Sequence, residues 1–222
     1  PMHDQIALSI ANKTMTKKNI EKKYMLHNNK KILLIVGTTY KQLFGDTDFR
    51  PYYEETKSCI EAMVRNFSND FNLIYKLHPR ENIKSHERLL GKQLSKYIHL
   101  IPGNTKIYPF LGISDLVFIF LSSTVIGSLA LDCPIVCYNL GKLKHFQTFY
   151  KPFQSIYKSN SLSDLDKCIL KIKQEDKLTK HRNIDRQNYG MFSGKSTEMV
   201  ANLICDYNSY DLKDRKVFYQ KN

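Results

Sequence analysis

The chain has 222 residues, 42% of them hydrophobic, and a formal net charge of +13 from 34 Lys and Arg against 21 Asp and Glu. That apolar content supports a buried core and excludes a disordered tail, while no apolar run approaches the roughly 18–20 residues of a membrane span. The charge calls for an anionic partner, which narrows the field to nucleic acid, a membrane surface or a phosphorylated substrate.

Residues 1–29 are polar and basic with weak helical periodicity, and read as an arm or linker. Lys31-Ile32-Leu33-Leu34-Ile35-Val36-Gly37 is a continuous apolar run ending in Gly, the pattern of a parallel strand buried on both faces. Thr38 to Arg50 is a polar loop. Pro51 then opens a helix, where its missing N–H costs nothing, and Ile60, Met63, Val64 and Phe67 share one face of it. Asn72 to Leu77 is the second strand, closed by His78-Pro79. Asn82 to Gln93 is a charged helix, Tyr97 to Ile101 a third strand, and Tyr108 to Leu111 a short helix. Leu116 to Phe120 is the fourth strand, followed by a helix from Thr124 to Leu131, and Pro134 to Tyr138 is the fifth. Ser163 is the expected cap of a helix through Ile172. A last helix begins at Ser193 or Ser196 and runs to about Tyr207, and 208–222 form a polar tail.

Strands alternating with helices predict an α/β fold, a single doubly wound Rossmann-like parallel sheet with helices on both faces, spanning 30–207. In such sheets ligands sit at the carboxyl ends of the strands, and Gly37, His78, Ser122-Ser123-Thr124 and Asn139-Leu140-Gly141 all fall there.

Those strand ends carry the candidate chemistry. Gly37 lets backbone approach a phosphate, and Thr38 can donate to its oxygens; the plainer reading is a tight turn. Neither G-x-G-x-x-G nor a P-loop occurs. His78 is held extended by Pro79 and lies between Lys76 and Arg80. Its imidazole can donate to a phosphate oxygen or act as an acid toward a leaving phosphate, and is the candidate catalytic residue. The two cations favour an anionic ligand and disfavour protonation of the free histidine. Ser122, Ser123 and Thr124 bring three hydroxyls to a helix start, where one would suffice as a cap, and so read as anion-binding. Asp115 reads as a turn or cap residue. His86, His99, His145 and His181 show no metal-ligand spacing. The aromatics Tyr138, Phe146, Phe149, Tyr150 and Phe153 read first as packing or lid residues and second as a platform for a base. The five cysteines are odd in number with no C-x-x-C pair, which argues against a disulfide framework or a zinc site. No metal and no cofactor are expected. The opening Pro1-Met2-His3-Asp4 lacks the basic-then-apolar layout of a secretory leader, and a cytosolic chain is expected.

The succession Tyr75-Lys76-Leu77-His78-Pro79, Ile113-Ser114-Asp115-Leu116-Val117, Ser122-Ser123-Thr124 and Cys133-Pro134-Ile135-Val136 resembles the C-terminal half of GT-B glycosyltransferases. The nearest in character are the bacterial capsule-polysaccharide and polysialic-acid transferases, with the teichoic-acid glycerophosphotransferases beside them. The closing Tyr189-Gly190-Met191-Phe192-Ser193-Gly194-Lys195-Ser196 resembles the end of that domain. The resemblance implies that His78 and Ser122–Thr124 hold the phosphate of a CMP-, CDP- or UDP-linked donor, and that a sugar or polyol phosphate passes to a surface polysaccharide; the basic charge also suits peripheral docking on an anionic inner membrane leaflet. UDP-N-acetylglucosamine 2-epimerases share the layout and are an alternative, as is a non-catalytic basic domain that binds nucleic acid or acts as a scaffold. Two departures stand out. The helix after the serines, Val125-Ile126-Gly127-Ser128-Leu129-Ala130, has no carboxylate where GT-B donor domains usually hold the ribose. Only one of the two GT-B halves is present, so an N-terminal acceptor-side domain, in cis or in trans, is implied.

Overall fold

The computed structural model describes residues 13–39, 48–174 and 178–188. Six parallel strands form one sheet: β1 (Lys31–Val36), β2 (Phe71–Lys76), β3 (Ile98–Ile101), β4 (Leu116–Ile119), β5 (Ile135–Tyr138) and β6 (Ile156–Ser159). Their order is β3-β2-β1-β4-β5-β6. The chain first builds outward from β1 to β3, then returns to the other side of β1 with β4. The reversal between β1 and β4 is the topological switch point, outside which such sheets bind ligands.

The strand sequences explain the layers. Ile32 to Val36, Leu116 to Ile119 and Ile135 to Tyr138 are buried throughout, because helices cover both faces. Side chains alternate across the sheet. Leu33, Ile35, Leu73, Tyr75, Phe118 and Val136 point into one core, with Ile60, Met63 and Phe67 of α2 (Arg50–Phe67), Leu90 and Leu94 of α3 (Ile83–Ser95), and Leu165 and Ile169 of α7 (Leu162–Gln174). Ile32, Leu34, Ile74, Val117, Ile119 and Cys137 point into the other. There they meet Ile20 of α1 (Lys13–Tyr24), Phe110 and Leu111 of α4 (Tyr108–Ile113), Val125 and Leu129 of α5 (Thr124–Ala130), and Phe146 and Tyr150 of α6 (Lys144–Tyr150). Each fully buried side chain of this size stabilises the fold by about 1.5–3 kcal/mol.

Several elements differ from expectation. The stretch read as a basic arm contains α1, whose Ile20, with Leu26 beyond it, is buried and whose Tyr24 ring lies 5.9 Å from that of Phe110. Lysine dominates the composition of α1, and its one apolar contact line is too sparse to show as periodicity. The short edge strand β6, α6 and α8 (Thr179–Asn188) were not anticipated. The cap of α7 is Ser161, whose Oγ accepts the Asp164 N–H at 3.1 Å, and not Ser163, which lies inside the helix. Asp115 is a turn residue as expected: its Oδ2 accepts the Ile32 N–H at 2.8 Å, and its own N–H donates to Ile32 O. The helix expected from Ser193 or Ser196, the 189–196 stretch and the 208–222 tail lie outside the described residues. Cys59, Cys133, Cys137 and Cys168 are free and buried; burial pushes the Cys133 thiol up to about 12.

Candidate functional site

A cleft of about 540 Å³ opens at the carboxyl ends of β1, β2 and β4, at the switch point. Gly37, Lys76, His78, Ser122, Ser123 and Thr124 all line it, as do Gly103 to Tyr108 of the β3–α4 loop. Among the described residues no lining side chain carries a carboxylate, and those that line the cleft present cations, hydroxyls and amides to its contents. Two predicted residues stand outside the lining. Thr38 is buried at 6% exposure, and Arg80 is exposed.

The His78 corner is a turn closed on itself. Glu81 N–H donates to His78 O at 2.9 Å, and the Glu81 carboxylate accepts the His78 N–H through Oε2. The Arg80 N–H donates to His78 Nδ1 at 3.2 Å, so the neutral ring carries its proton on Nε2. Burial pulls the His78 imidazole below its ordinary value; Glu81 opposes this, while Arg80 and Lys76 add to it. At neutral pH the free corner therefore offers an uncharged Nε2–H donor.

Lys76 is 3% exposed, and its ammonium donates to Leu77 O at 2.6 Å and Gly103 O at 2.9 Å. It ties the end of β2 to the loop after β3. Burial pulls the ammonium down and Glu81 pushes it back up. Glycine is required at two positions by close approach. A Cβ on Gly37 would collide with Glu81 Oε2 and crowd His78 N at 3.0 Å; one on Gly103 would collide with His78 O and lie 2.9 Å from Pro79 Cα. Gly37 thus serves the packing of the corner as well as the opening of the cleft.

The second corner is held by neutral groups. Tyr150 O–H donates to Phe120 O at 2.8 Å and accepts the Ser122 N–H at 3.0 Å. Ser122 Oγ donates to Thr124 Oγ1 at 2.9 Å and accepts the Thr124 N–H at 3.2 Å. Ser122 therefore organises its own loop, leaving Ser123, exposed and without a side-chain cap bond, and Thr124 to face the cleft. Of the aromatics weighed as a base platform, Tyr138, Phe146, Tyr150 and Phe153 are buried and Phe149 is exposed; none lines the cleft. Tyr108 is the aromatic ring, besides the His78 imidazole, among the described lining residues, and burial pushes its hydroxyl up. The β3–α4 loop was missed in the sequence. Its signal was the turn triplet Pro102-Gly103-Asn104 directly after a predicted strand. Among the described residues no cluster of His, Cys, Asp or Glu could hold a metal, and no helix is long and apolar enough to cross a membrane.

The family profile described as CDP-glycerol:poly(glycerophosphate) glycerophosphotransferase matches residues 1–206. The chain belongs to this family. Among solved structures, the wall teichoic acid polymerase TagF superposes with a TM-score of 0.65 at 13% identity, over 92% of this chain and 50% of TagF. A histidine-to-asparagine variant of TagF soaked with CDPG superposes at 0.56 and 14% identity, over 92% of this chain and 48% of that one. The UDP-GlcNAc 2-epimerase of Neisseria meningitidis, bound to UDP-GlcNAc, superposes at 0.59 and 16%, over 90% of this chain and 52% of the epimerase. The glycerophosphotransferase-family chain thus has the GT-B-type half-fold and spans about half the length of these structures. No curated protein matches it in sequence.

Proposed function

We propose that the chain is the donor-binding half of a polyol-phosphate transferase that uses CDP-glycerol and extends a poly(glycerophosphate)-type surface polymer. The observation that carries this reading is the cleft, where donors and cations from three strand ends converge with no carboxylate among the described lining residues, in a chain of the glycerophosphotransferase family. A pyrophosphate there receives hydrogen bonds from His78 Nε2–H, Ser123 and Thr124, with the Lys76 charge behind it. Tyr108 offers a ring face to the base, and Asn104 and Thr105 offer polar groups to the ribose in place of the carboxylate that α5 lacks.

In the transfer, an acceptor hydroxyl attacks the glycerol-bearing phosphorus. The bond from that phosphorus to the bridging oxygen breaks, and CMP leaves with the electron pair. His78 stabilises the charge that grows on CMP and, as imidazolium, protonates it. The proton of the acceptor hydroxyl passes to a base on the acceptor side. That side belongs to a separate N-terminal half, in the same polypeptide or a partner. The donor-binding unit joins α1 to the 30–207 core, and the exposed lysines of α1 meet an anionic membrane surface from the cytoplasmic side.

Calorimetric titration with CDP-glycerol, CMP, UDP-GlcNAc and mixed DNA, beside His78→Ala, tests the proposal. Saturable binding of CDP-glycerol and CMP, weakened at least about tenfold in the variant, supports it. Preference for UDP-GlcNAc favours an epimerase-type site, which the shared fold also accommodates. Tight, steeply salt-dependent DNA binding alone favours the scaffold reading. Unchanged affinity in the variant removes His78 from the site.

A further inference from the structure

Behind the His78 corner lies a pair of titratable side chains that the transfer itself does not use. Glu81 and His86 are 6% and 3% exposed at their side chains, and His86 Nε2 stands 3.2 Å from Glu81 Oε1. Neither residue lines the cleft. The His86 ring packs against Tyr75 with centroids 5.1 Å apart, and its Nδ1 lies 3.4 Å from Asn82 O. The other carboxylate oxygen, Oε2, accepts the His78 N–H and lies against the bare Cα of Gly37. A buried carboxylate is costly unless paired and hydrogen-bonded. This one has Oε2 on a backbone amide, beside a glycine that leaves room for it, and Oε1 at ion-pair distance from His86 Nε2 without hydrogen-bond geometry, a pair that attracts when His86 is protonated.

We propose that Glu81, backed by His86, is the positioning residue of this site: it fixes the His78 turn through the His78 amide and supplies a negative charge close to the imidazole. The inference rests on the donor-binding reading of the cleft. The charged and titratable groups around the corner are Lys76 from β2, Arg80 in the turn and His86 from α3, with the Tyr75 ring packed against His86. Lys76 and Arg80 disfavour the imidazolium, and Glu81 favours it. A phosphate ligand adds negative charge on the open side and so recruits a proton to His78. Glu81 decides how readily that proton is taken up, without touching the ligand.

The test is an NMR titration of the histidine rings in the full chain, with His78 identified through His78→Gln, alongside amide exchange and CDP-glycerol affinity between about pH 5 and 8. In Glu81→Gln, which keeps the shape and an acceptor for the His78 amide, the His78 midpoint falls by about half a pH unit or more. The rise of CDP-glycerol affinity on acidification then begins at a lower pH than in the wild type. His86→Gln keeps the carboxylate but removes its backing, so the His78 midpoint does not fall, while the His78 amide exchanges faster. A His78 midpoint unmoved in Glu81→Gln overturns the electrostatic role, and an amide exchange rate unmoved in His86→Gln overturns the backing role. Should one variant fail to fold, the other still decides its half. Failure of the donor reading looks different: the wild type binds no CDP-glycerol at any pH, while the ring titrations still report on Glu81.

Discussion

The two strand-end corners that face each other across the cleft are built by different means. The His78 corner is held by charge. Lys76 bridges two carbonyls, Glu81 seals the turn, His86 backs Glu81, and Gly37 and Gly103 admit the close approaches. The Ser122–Thr124 corner is held by neutral hydrogen bonds, with one buried Tyr150 hydroxyl joining it to Phe120 O. Buried charged networks are over-determined and answer to pH, because removing one partner strands another. Neutral networks lose one bond at a time. The candidate histidine sits where charge can be tuned, and the hydroxyl corner where neutral bonds need only stay in place.

Breaking the stiff corner should have the largest effect. Gly103→Ala drives a Cβ into His78 O and Pro79 Cα, both backbone atoms that cannot turn aside. We expect a loss of about 2–4 kcal/mol in urea unfolding, and a loss under about 0.5 kcal/mol would show that the corner yields. His78→Gln should keep the fold, since the side chain is only half-buried. It should weaken CDP-glycerol binding by about 1.5–3 kcal/mol, read by calorimetry. Tyr150→Phe removes the hydroxyl that serves Phe120 O and Ser122 N–H, costing about 1–2 kcal/mol of stability. Its effect on affinity should be no more than a few fold; a loss equal to that of His78→Gln would reverse the contrast between the corners. The smallest effect is on the pH dependence of stability. Burial depresses both His78 and His99, so the unfolded chain binds more protons than the folded one once pH falls below the unfolded value of about 6.5. Their contribution is intact above that value and is lost as pH drops toward the folded values. Urea midpoints should decline over this window, and less so in His78→Gln.

Five of the six strands and the position of the cleft were legible as continuous apolar runs ending in Gly37, His78 and Ser122. Edge strand β6 was not. Ile156-Tyr157-Lys158-Ser159 is short, half polar and paired on one side only, so no run of apolar residues announces it. The role of Tyr150 was hidden as well. An aromatic in a segment of aromatics reads as packing or platform, and only the fold brings its hydroxyl to a loop 28 residues away. Arg80 looked like part of the site because it follows the His-Pro pair, yet the turn points its side chain to solvent and uses its amide instead.

What the sequence determined by itself is the class of fold and the family. Strand burial on both faces and the order of short motifs are local and survive without coordinates. What only the tertiary structure decided is which polar groups meet. The strand order brought β1 between β2 and β4, which set Gly37 against Glu81 and turned a charged helix start into the backing of His78. Pairing across the sheet depends on strand order and close approach, which no linear pattern encodes, and the electrostatics of the site follow from that pairing.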